Sequence, residues 1–165
     1  MGIKNVFGGK KARTEGLQFE YILKARALFE GVHVTHHQTS SRAVKNKQGK
    51  LIFIAARSGY DFTLSFDNGL NAFIDCKSFD SDRITYSQIT QHQVEELFAK
   101  EEKGNIAGFI IWLRKTNSVC FVWASELKEL NEGESIKEIQ MHKLGVWDNF
   151  RLGLLRDLNY EKRKT

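Results

Sequence analysis

The stretch YDFTLSFDNGLNAFIDCKSF, residues 60–79, decides the fold because it holds two alternating runs around a strong turn signal. Asp67-Asn68-Gly69 is typical of a β-hairpin loop, with Gly69 in the left-handed conformation. A two-residue loop would pair Asp61 with Cys76, whereas a three-residue loop pairs Asp61 with Asp75. Only the three-residue loop sorts the side chains cleanly, since a slip of one residue exchanges the two faces of a strand. Its apolar face consists of Phe62, Leu64, Phe66, Leu70, Ala72, Ile74 and Cys76, and its other face of Asp61, Thr63, Ser65, Phe73, Asp75 and Lys77.

This register predicts two carboxylates side by side. Opposed residues of an antiparallel pair have Cβ atoms about 5 Å apart, and two ionised carboxylates at that distance repel by roughly 3 kcal/mol at an effective dielectric constant near 20. Lys77 lies on the same face as Asp75 and can offset part of this repulsion. Two interpretations remain open: an exposed, salt-bridged face of little net energy, or a Mg²⁺ site built from Asp61, Asp75, a strand carbonyl and waters.

The rest of the chain predicts a mixed α/β domain with a sheet of about five strands flanked by helices. Apolar residues recur at helical spacing over 15–30, and a second helix is expected from Ser87 or Thr90 to about Lys103. The final twenty-odd residues are expected to form a C-terminal helix. Further strands are predicted at VHVT (32–35), LIFIAA (51–56), IAGFIIWL (106–113) and SVCFVWA (118–124), and a short helix at ASELKEL (124–130).

Positive charge is concentrated in the first third of the chain. Residues 1–57 carry eleven Lys/Arg against three acidic residues, whereas residues 58–165 carry fourteen against seventeen, within a net charge of +5. A polyanionic partner is one explanation, and a solvated basic surface is the other. We expect a flexible basic arm over 1–14, a single domain over 15–165, and a basic insertion over 38–50. The chain has no apolar signal segment and no run long enough to span a bilayer, so we expect a cytoplasmic protein without a membrane partner.

Two motifs resemble the core of the PD-(D/E)xK nucleases. Tyr60-Asp61 and Asp75-Cys76-Lys77 stand fourteen residues apart, without the proline and with Asp75 in place of the commoner Glu. Their flanks, GLQFE (16–20), IDCKSF (74–79), QITQHQVEEL (88–97) and the two following strands, are similar to the RecU-type Holliday junction resolvases over residues 15–130. The resemblance implies a restriction-endonuclease-like core.

The same resemblance implies the site and its chemistry. Asp61, Asp75 and the backbone carbonyl of Cys76 would bind Mg²⁺, with Mn²⁺ as a substitute, and Lys77 would be the catalytic lysine. Gln93 would position metal or water, although a capping box with Thr90 is an equal alternative. Glu20 would be the acid of the first helix beside the site, although a surface acid is a competing interpretation. No organic cofactor is expected.

The resemblance also implies a homodimer that resolves four-way DNA junctions by paired, symmetric incisions. Alternatives are a nuclease for flaps, forks or duplexes, and an inactive DNA-binding recombination accessory. The protein would act at the nucleoid or, if encoded by a virus, in the host cytoplasm. His33, His36 and His37 lack a complete zinc ligand set and are expected at the surface or near DNA. The expected DNA contacts are Lys10, Lys11 and Arg13 in the arm and Arg42, Lys45, Lys47 and Lys50 in the 38–50 insertion, which would be stalk-like.

Overall fold

The computed structural model describes the backbone of residues 3–37, 41–55 and 59–165, and the side chains of 13–37, 43–52 and 59–165. The described residues form four α-helices: α1 (Ile3–Phe29), α2 (Gln91–Glu101), α3 (Ala124–Lys128) and α4 (Leu154–Lys164). The strands are β1 (His33–His36), β2 (Ser41–Lys45), β3 (Leu51–Ala55), β4 (Phe62–Ser65), β5 (Asn71–Phe79), β6 (Arg83–Thr85), β7 (Ile106–Leu113), β8 (Ser118–Trp123), β9 (Ser135–Lys137), β10 (His142–Val146) and β11 (Asn149–Phe150). The predicted mixed α/β class is confirmed.

A seven-stranded sheet in the order β1-β4-β5-β7-β8-β10-β11 organises the domain. β5 and β7 are parallel and are connected through α2, whereas the other neighbouring pairs are antiparallel. The prediction of about five strands is wrong because β10 and β11 come from the segment that was expected to be helical. Only residues from Leu154 onward form the C-terminal helix.

Within the basic insertion expected over 38–50, residues 41–45 form a strand. β2 and β3 pair antiparallel, from Ser41 opposite Ala55 to Lys45 opposite Leu51, and form their own two-stranded sheet. The predicted strand at LIFIAA therefore exists, but it belongs to this hairpin and not to the main sheet. The basic side chains are thus carried by a β-hairpin between β1 and β4.

Helix α1 begins at Ile3 and not at residue 15. Residues 3–14 of the segment expected as a flexible basic arm are therefore helical. Gly8 and Gly9 suggested a break, but each glycine costs only about 1 kcal/mol relative to alanine in a helix. The good helix formers that follow them, Lys10 to Arg13, continue the helix into its packed half.

Two apolar cores lie on opposite faces of the sheet. On one face α1 packs through Phe19 and Leu23 against β4 and β5, including Phe62 and Ile74. On the other face α2 and α3 cover β7 and β8. These two strands are therefore buried on both faces, which explains why they read as continuous apolar runs.

No helix among the described residues is both long enough and apolar enough to cross a membrane.

Glu30 joins α1 to the start of α4. Its carboxylate accepts hydrogen bonds from the backbone N–H groups of Leu152 (2.8 Å) and Gly153 (3.0 Å), just ahead of α4. A carboxylate at this position satisfies donors that a helix leaves free and complements the helix dipole. We expect Glu30→Ala to lower the free energy of unfolding by about 1–3 kcal/mol, as measured by urea denaturation. The control Glu132→Ala, at an exposed position, should leave it nearly unchanged, and equal losses would contradict this role.

Candidate active site

The central hairpin has the predicted register. Phe62 faces Ile74 and Ser65 faces Asn71 across the β4–β5 pair, and the loop closes through the Phe66 N–H bond to the Leu70 carbonyl at 2.9 Å. Gly69 has a φ of 77°, a conformation that side chains disfavour. The three-residue loop is therefore confirmed, and Phe62, Leu64, Ala72 and Ile74 on its apolar face are fully buried.

Asp61 departs from the simple pairing that the register predicts. The strand ladder ends at Phe62, and the backbone N–H of Asp61 donates to the carbonyl of Ile74 at 2.9 Å, the residue that Phe62 already faces. Two residues of one strand thus oppose one of the other, as in a β-bulge. The Asp61 carboxylate instead accepts the backbone N–H of Cys76 at 2.8 Å, so it lies beside the Asp75–Cys76 segment and not across a regular ladder pair.

Asp75 is a buried carboxylate, with 1% of its surface exposed. Its Oδ1 accepts a hydrogen bond from Gln93 Nε2 at 2.7 Å, and its Oδ2 lies 2.7 Å from the ammonium of Lys77. Lys77 Nζ also donates to Gln93 Oε1 at 3.1 Å. The three side chains therefore form a closed triangle. The salt bridge of the first interpretation is present, but its Asp75 is buried, so the expectation of an exposed face is wrong for this residue. Burial comes from α2 and β7, which lie against β5.

Gln93 points into the site and does not cap its helix. Thr90 precedes α2 but makes no side-chain capping hydrogen bond. The amide of Gln93 instead bridges Asp75 and Lys77, with its nitrogen on the carboxylate and its oxygen on the ammonium. This polarity fixes the orientation of the amide, because each end meets a group of the opposite kind. The capping-box alternative is therefore wrong.

The electrostatics of Asp75 are unusual for an aspartate. Burial raises its pKa to about 7, the ammonium of Lys77 opposes this rise, and the nearby Asp61 carboxylate adds to it. Its Oδ2 is inaccessible to water and receives no hydrogen bond of good geometry, although the ammonium lies within contact distance. With its pKa at about 7, Asp75 gains or loses its proton near neutral pH, and a further cation beside it would favour the ionised form.

Glu20 approaches the same site from α1. Burial raises its pKa, with a further rise from Asp61, so this acid is not a free surface group. His36 Nε2 on the edge strand β1 lies 3.5 Å from Glu20 Oε2, and its ring stacks on Phe62 at 4.8 Å. Lys24 Nζ lies 3.1 Å from His36 Nδ1; because an ammonium can only donate, His36 carries its ring proton on Nε2, facing Glu20.

Lys24 and His36 were missed as part of this site. The spacing of Glu20 and Lys24 at i and i+4 could have indicated one shared helix face. Nothing in the sequence, however, shows that β1 packs beside that face and brings His36 to it. His37, the residue after β1, contacts the neighbouring strand β4, where its Nε2 lies 2.8 Å from Thr63 Oγ1.

A Mg²⁺ ion would find few protein ligands here. Among the described residues there is no group of three or more His, Cys, Asp and Glu side chains arranged to hold a metal. Asp61 and Asp75 supply two carboxylates. The N–H of Cys76 points toward Asp61, and the carbonyl of the same strand residue faces the same side. Burial raises the pKa of the Cys76 thiol, so its sulfur is not a thiolate ligand. By type, the two carboxylates and the carbonyl are oxygen ligands of the kind that Mg²⁺ binds alongside several waters.

The structure describes the side chains of four of the seven predicted DNA contacts. Arg13 is exposed on α1, and Lys45, Lys47 and Lys50 are exposed on the β2–β3 hairpin. The side chains of Lys10, Lys11 and Arg42 are outside the described residues. Of the predicted catalytic residues, the structure brings together Asp61, Asp75, Lys77 and Gln93, with Glu20 close to Asp61.

Searches with protein-family models and against curated proteins find no match to this chain.

Proposed function

We propose that this protein is a Mg²⁺-dependent endodeoxyribonuclease that resolves four-way DNA junctions by paired phosphodiester hydrolysis. The observation that carries the proposal is the buried Asp75 carboxylate, held by Gln93 and Lys77 and adjacent to Asp61. Burying an ionisable group in this way costs free energy, and such costs concentrate at sites of chemistry. A purely structural role would be met more cheaply by an apolar residue at this buried position.

The proposed chemistry assigns one task to each side chain. Asp61, Asp75 and the Cys76 carbonyl would hold Mg²⁺, or Mn²⁺ in its place, which when bound lowers the pKa of a coordinated water. The Lys77 ammonium would stabilise the negative charge that develops on the phosphoryl oxygens. Gln93 would hold the side chains of Lys77 and Asp75 in place, because its amide is hydrogen-bonded to both. No organic cofactor is needed for these steps.

The arrangement of the elements supports a restriction-endonuclease-like core as part of the proposal. α1, the β4–β5 hairpin, α2 and β7 occur in that order, with β5 and β7 parallel and the acidic residues at the end of the hairpin. The basic β2–β3 hairpin would contact DNA phosphates. A nuclease for flaps, forks or duplexes remains the alternative within the class, and a DNA-binding accessory without catalysis is the alternative outside it.

A synthetic four-way junction incubated with Mg²⁺ tests the proposal. We expect two symmetric nicks across the junction and no products when EDTA replaces Mg²⁺. Equal cleavage of linear duplex would overturn the junction specificity and favour the broader nuclease. Junction binding without any cleavage in Mg²⁺ or Mn²⁺ would overturn the enzymatic proposal and favour the accessory.

Neutralising the basic hairpin should weaken DNA binding without abolishing the chemistry. Replacing Arg42, Lys45 and Lys47 by alanine removes three cations, so the slope of log K against log salt should become less steep by about 2–3. Fluorescence anisotropy with a labelled junction between about 50 and 200 mM salt measures this slope. The triple alanine variant of Lys115, Lys137 and Lys143, far from β2–β3 in sequence, is the matched control, and equal slopes in the two variants would remove the hairpin from the interface.

His36 should hold Glu20 beside the proposed metal site, because His36 Nε2 lies 3.5 Å from Glu20 Oε2. We expect His36→Phe, which preserves a ring on Phe62 but removes both nitrogens, to weaken Mn²⁺ affinity by about tenfold, the scale typical of losing a residue that orients the groups around a metal. Electron paramagnetic resonance of free Mn²⁺ measures the affinity directly. His33→Phe, at the exposed end of the same strand, is the control; an unchanged Mn²⁺ affinity in His36→Phe would remove His36 from the site.

A further inference from the structure

A surface pocket of about 390 Å³, here called the α4 pocket, lies between α4 and the turn that joins β4 to β5. Its volume is in the range of pockets that bind small ligands, roughly 300–1,000 Å³. The turn contributes residues 68–70. The helix contributes four residues that share one of its sides, because they follow the first at intervals of three, four and seven: Arg156, Asn159, Tyr160 and Arg163. α4 lies outside residues 15–130, over which the chain resembles the resolvases, so the resemblance implies no role for this helix.

The apolar side of α4 holds the helix against the hairpin. Leu155 is fully buried and Leu158 is partly buried. Both pack in the same apolar core as Phe66 and Leu70, which stand at the two ends of the turn. Because the helix and the turn share this core, the pocket between them is formed before any ligand binds.

Arg156 and Arg163 bring two guanidinium groups to the α4 pocket. The guanidinium carbon of Arg156 lies 5.6 Å from the ring centroid of Phe66, and Arg163 donates to the carbonyl of Gly104 at 2.8 Å. These contacts restrict both side chains, so less conformational entropy is lost when a ligand binds them. Within the described ranges neither guanidinium pairs with a carboxylate. Each has five N–H donors, and most of them stay available to a ligand.

Asn159 is the buried member of the pocket, with 8% of its surface exposed. No described residue hydrogen-bonds to its side-chain amide, although its polar atoms remain accessible and the residue lines the pocket. A buried amide ordinarily has a hydrogen-bond partner, because leaving it without one costs free energy. The partner of Asn159 therefore comes from whatever occupies the pocket.

The donors of the α4 pocket fit an oxyanion. None of the described residues that line it is acidic. Asp157 and Glu161, the acids of α4, each follow a pocket residue by one position and so lie about 100° around the helix from it. A guanidinium matches two oxygens of a phosphate in geometry as well as in charge. A neutral or cationic ligand would leave both guanidinium charges uncompensated.

We infer that the α4 pocket binds a phosphate group, which Arg156 and Arg163 hold by charge-assisted hydrogen bonds and Asn159 by its amide. Tyr160, which is 63% exposed, supplies a hydroxyl as a further donor. Two sources share this chemistry, a free phosphate ion and a backbone phosphate of DNA. The inference does not require the proposed function, because the pocket can bind phosphate whether or not the protein cuts DNA.

Nuclear magnetic resonance of the ¹⁵N-labelled full chain in EDTA tests the pocket with inorganic phosphate as the probe. We expect the side-chain amide signals of Asn159 to shift and to saturate between about 0.1 and 20 mM phosphate, a range that brackets a millimolar Kd. Potassium chloride at the same ionic strength is the control for salt, and it should produce no saturable shift.

Three variants localise the binding. Arg156→Gln and Arg163→Gln each remove one guanidinium and should raise the Kd for phosphate by about tenfold, the contribution of one hydrogen bond to a charged group. Asn159→Asp replaces the amide by a carboxylate of the same shape and should abolish the binding by repulsion. Arg151→Gln is the matched control, because Arg151 is also exposed but lies outside the pocket, and it should bind phosphate like the wild type. If circular dichroism shows that Asn159→Asp is unfolded, the two exposed arginine variants decide the test.

A short DNA duplex, titrated in EDTA so that no strand is cut, distinguishes the two sources. Shifts of the Asn159 amide, with weaker duplex binding in Arg156→Gln than in Arg151→Gln, would identify a DNA phosphate. Shifts with inorganic phosphate alone would identify a free phosphate, and either result supports the pocket. The absence of saturable shifts with both probes would overturn the inference, as would equal phosphate Kd values for Arg156→Gln and Arg151→Gln.

The inference and the proposed function fail separately. Cleavage of four-way junctions by a protein whose α4 pocket binds neither probe would overturn only the inference. Phosphate binding in the α4 pocket without cleavage of junctions in Mg²⁺ or Mn²⁺ would overturn only the proposed function.

Discussion

Lys77→Ala is expected to reduce metal-dependent cleavage of a four-way junction by about 10³-fold, the scale seen when a donor to a developing oxyanion is removed. Two effects combine. The ammonium that would stabilise the transferring phosphoryl group is lost, and Asp75 loses the cation 2.7 Å from its Oδ2. Because Lys77 lowers the pKa of Asp75, which is already about 7, its removal leaves Asp75 mostly protonated at neutral pH and a poorer metal ligand.

Single-turnover cleavage, together with junction binding in Ca²⁺, checks this expectation. Binding should change little, because Lys77 is one cation among the many that would contact phosphates. Lys103→Ala, at an exposed lysine in the turn after α2, is the matched control and should cleave like the wild type. Retained cleavage in Lys77→Ala would refute the assignment of the active site.

Asp75→Asn is expected to abolish cleavage and to make the metal-free protein more stable at neutral pH. Asparagine can still accept the hydrogen bond from Gln93, and Lys77, whose side chain is 23% exposed, can turn its ammonium to water. The variant no longer buries a charge, whereas the wild type does once Asp75 ionises. The wild type would then be less stable than Asp75→Asn but active, as is common at functional sites.

The pKa of Asp75 determines whether the free energy of unfolding rises or falls with pH. Asp75 has a folded-state pKa of about 7 against an ordinary value of 3.8, so between these values the native state holds a proton that the unfolded state has released. The free energy of unfolding therefore falls as pH rises, by up to about 1.4 kcal/mol per pH unit, and levels off above pH 7. The difference between Asp75→Asn and the wild type should grow over the same window.

Urea denaturation in EDTA between pH 4.5 and 8 measures this window. Asp67→Asn, in the exposed hairpin turn, is the control and should follow the wild-type profile. Mg²⁺ at pH 8 should stabilise the wild type but not Asp75→Asn, since a ligand that binds only the native state adds its binding free energy to stability. Parallel profiles for Asp75→Asn and the wild type would show that Asp75 does not titrate in this range.

The sequence predictions are correct where a structure depends on residues close together in the chain, and wrong where the local pattern is weak. The hairpin register follows from a side-chain period of two and from Gly69, which are local properties. Helix α2 and strands β7 and β8 follow from equally local patterns. The C-terminal β10–β11 pair was missed because Gly145, with a φ of 146°, and the short runs around it carry little periodic signal. The β2–β3 hairpin was missed for the same reason, since its first strand is polar.

By itself the sequence determined the hairpin, its register and the residue types Asp61, Asp75 and Lys77 at its end, because alternation and turn chemistry act between near neighbours. The tertiary structure alone decided what these residues experience. α2 and β7 bury Asp75, Gln93 turns inward to bond it, and β1 carries His36 to Glu20 on α1. Burial and electrostatic coupling arise when elements that are distant in the chain pack together. A local sequence pattern carries no information about that packing.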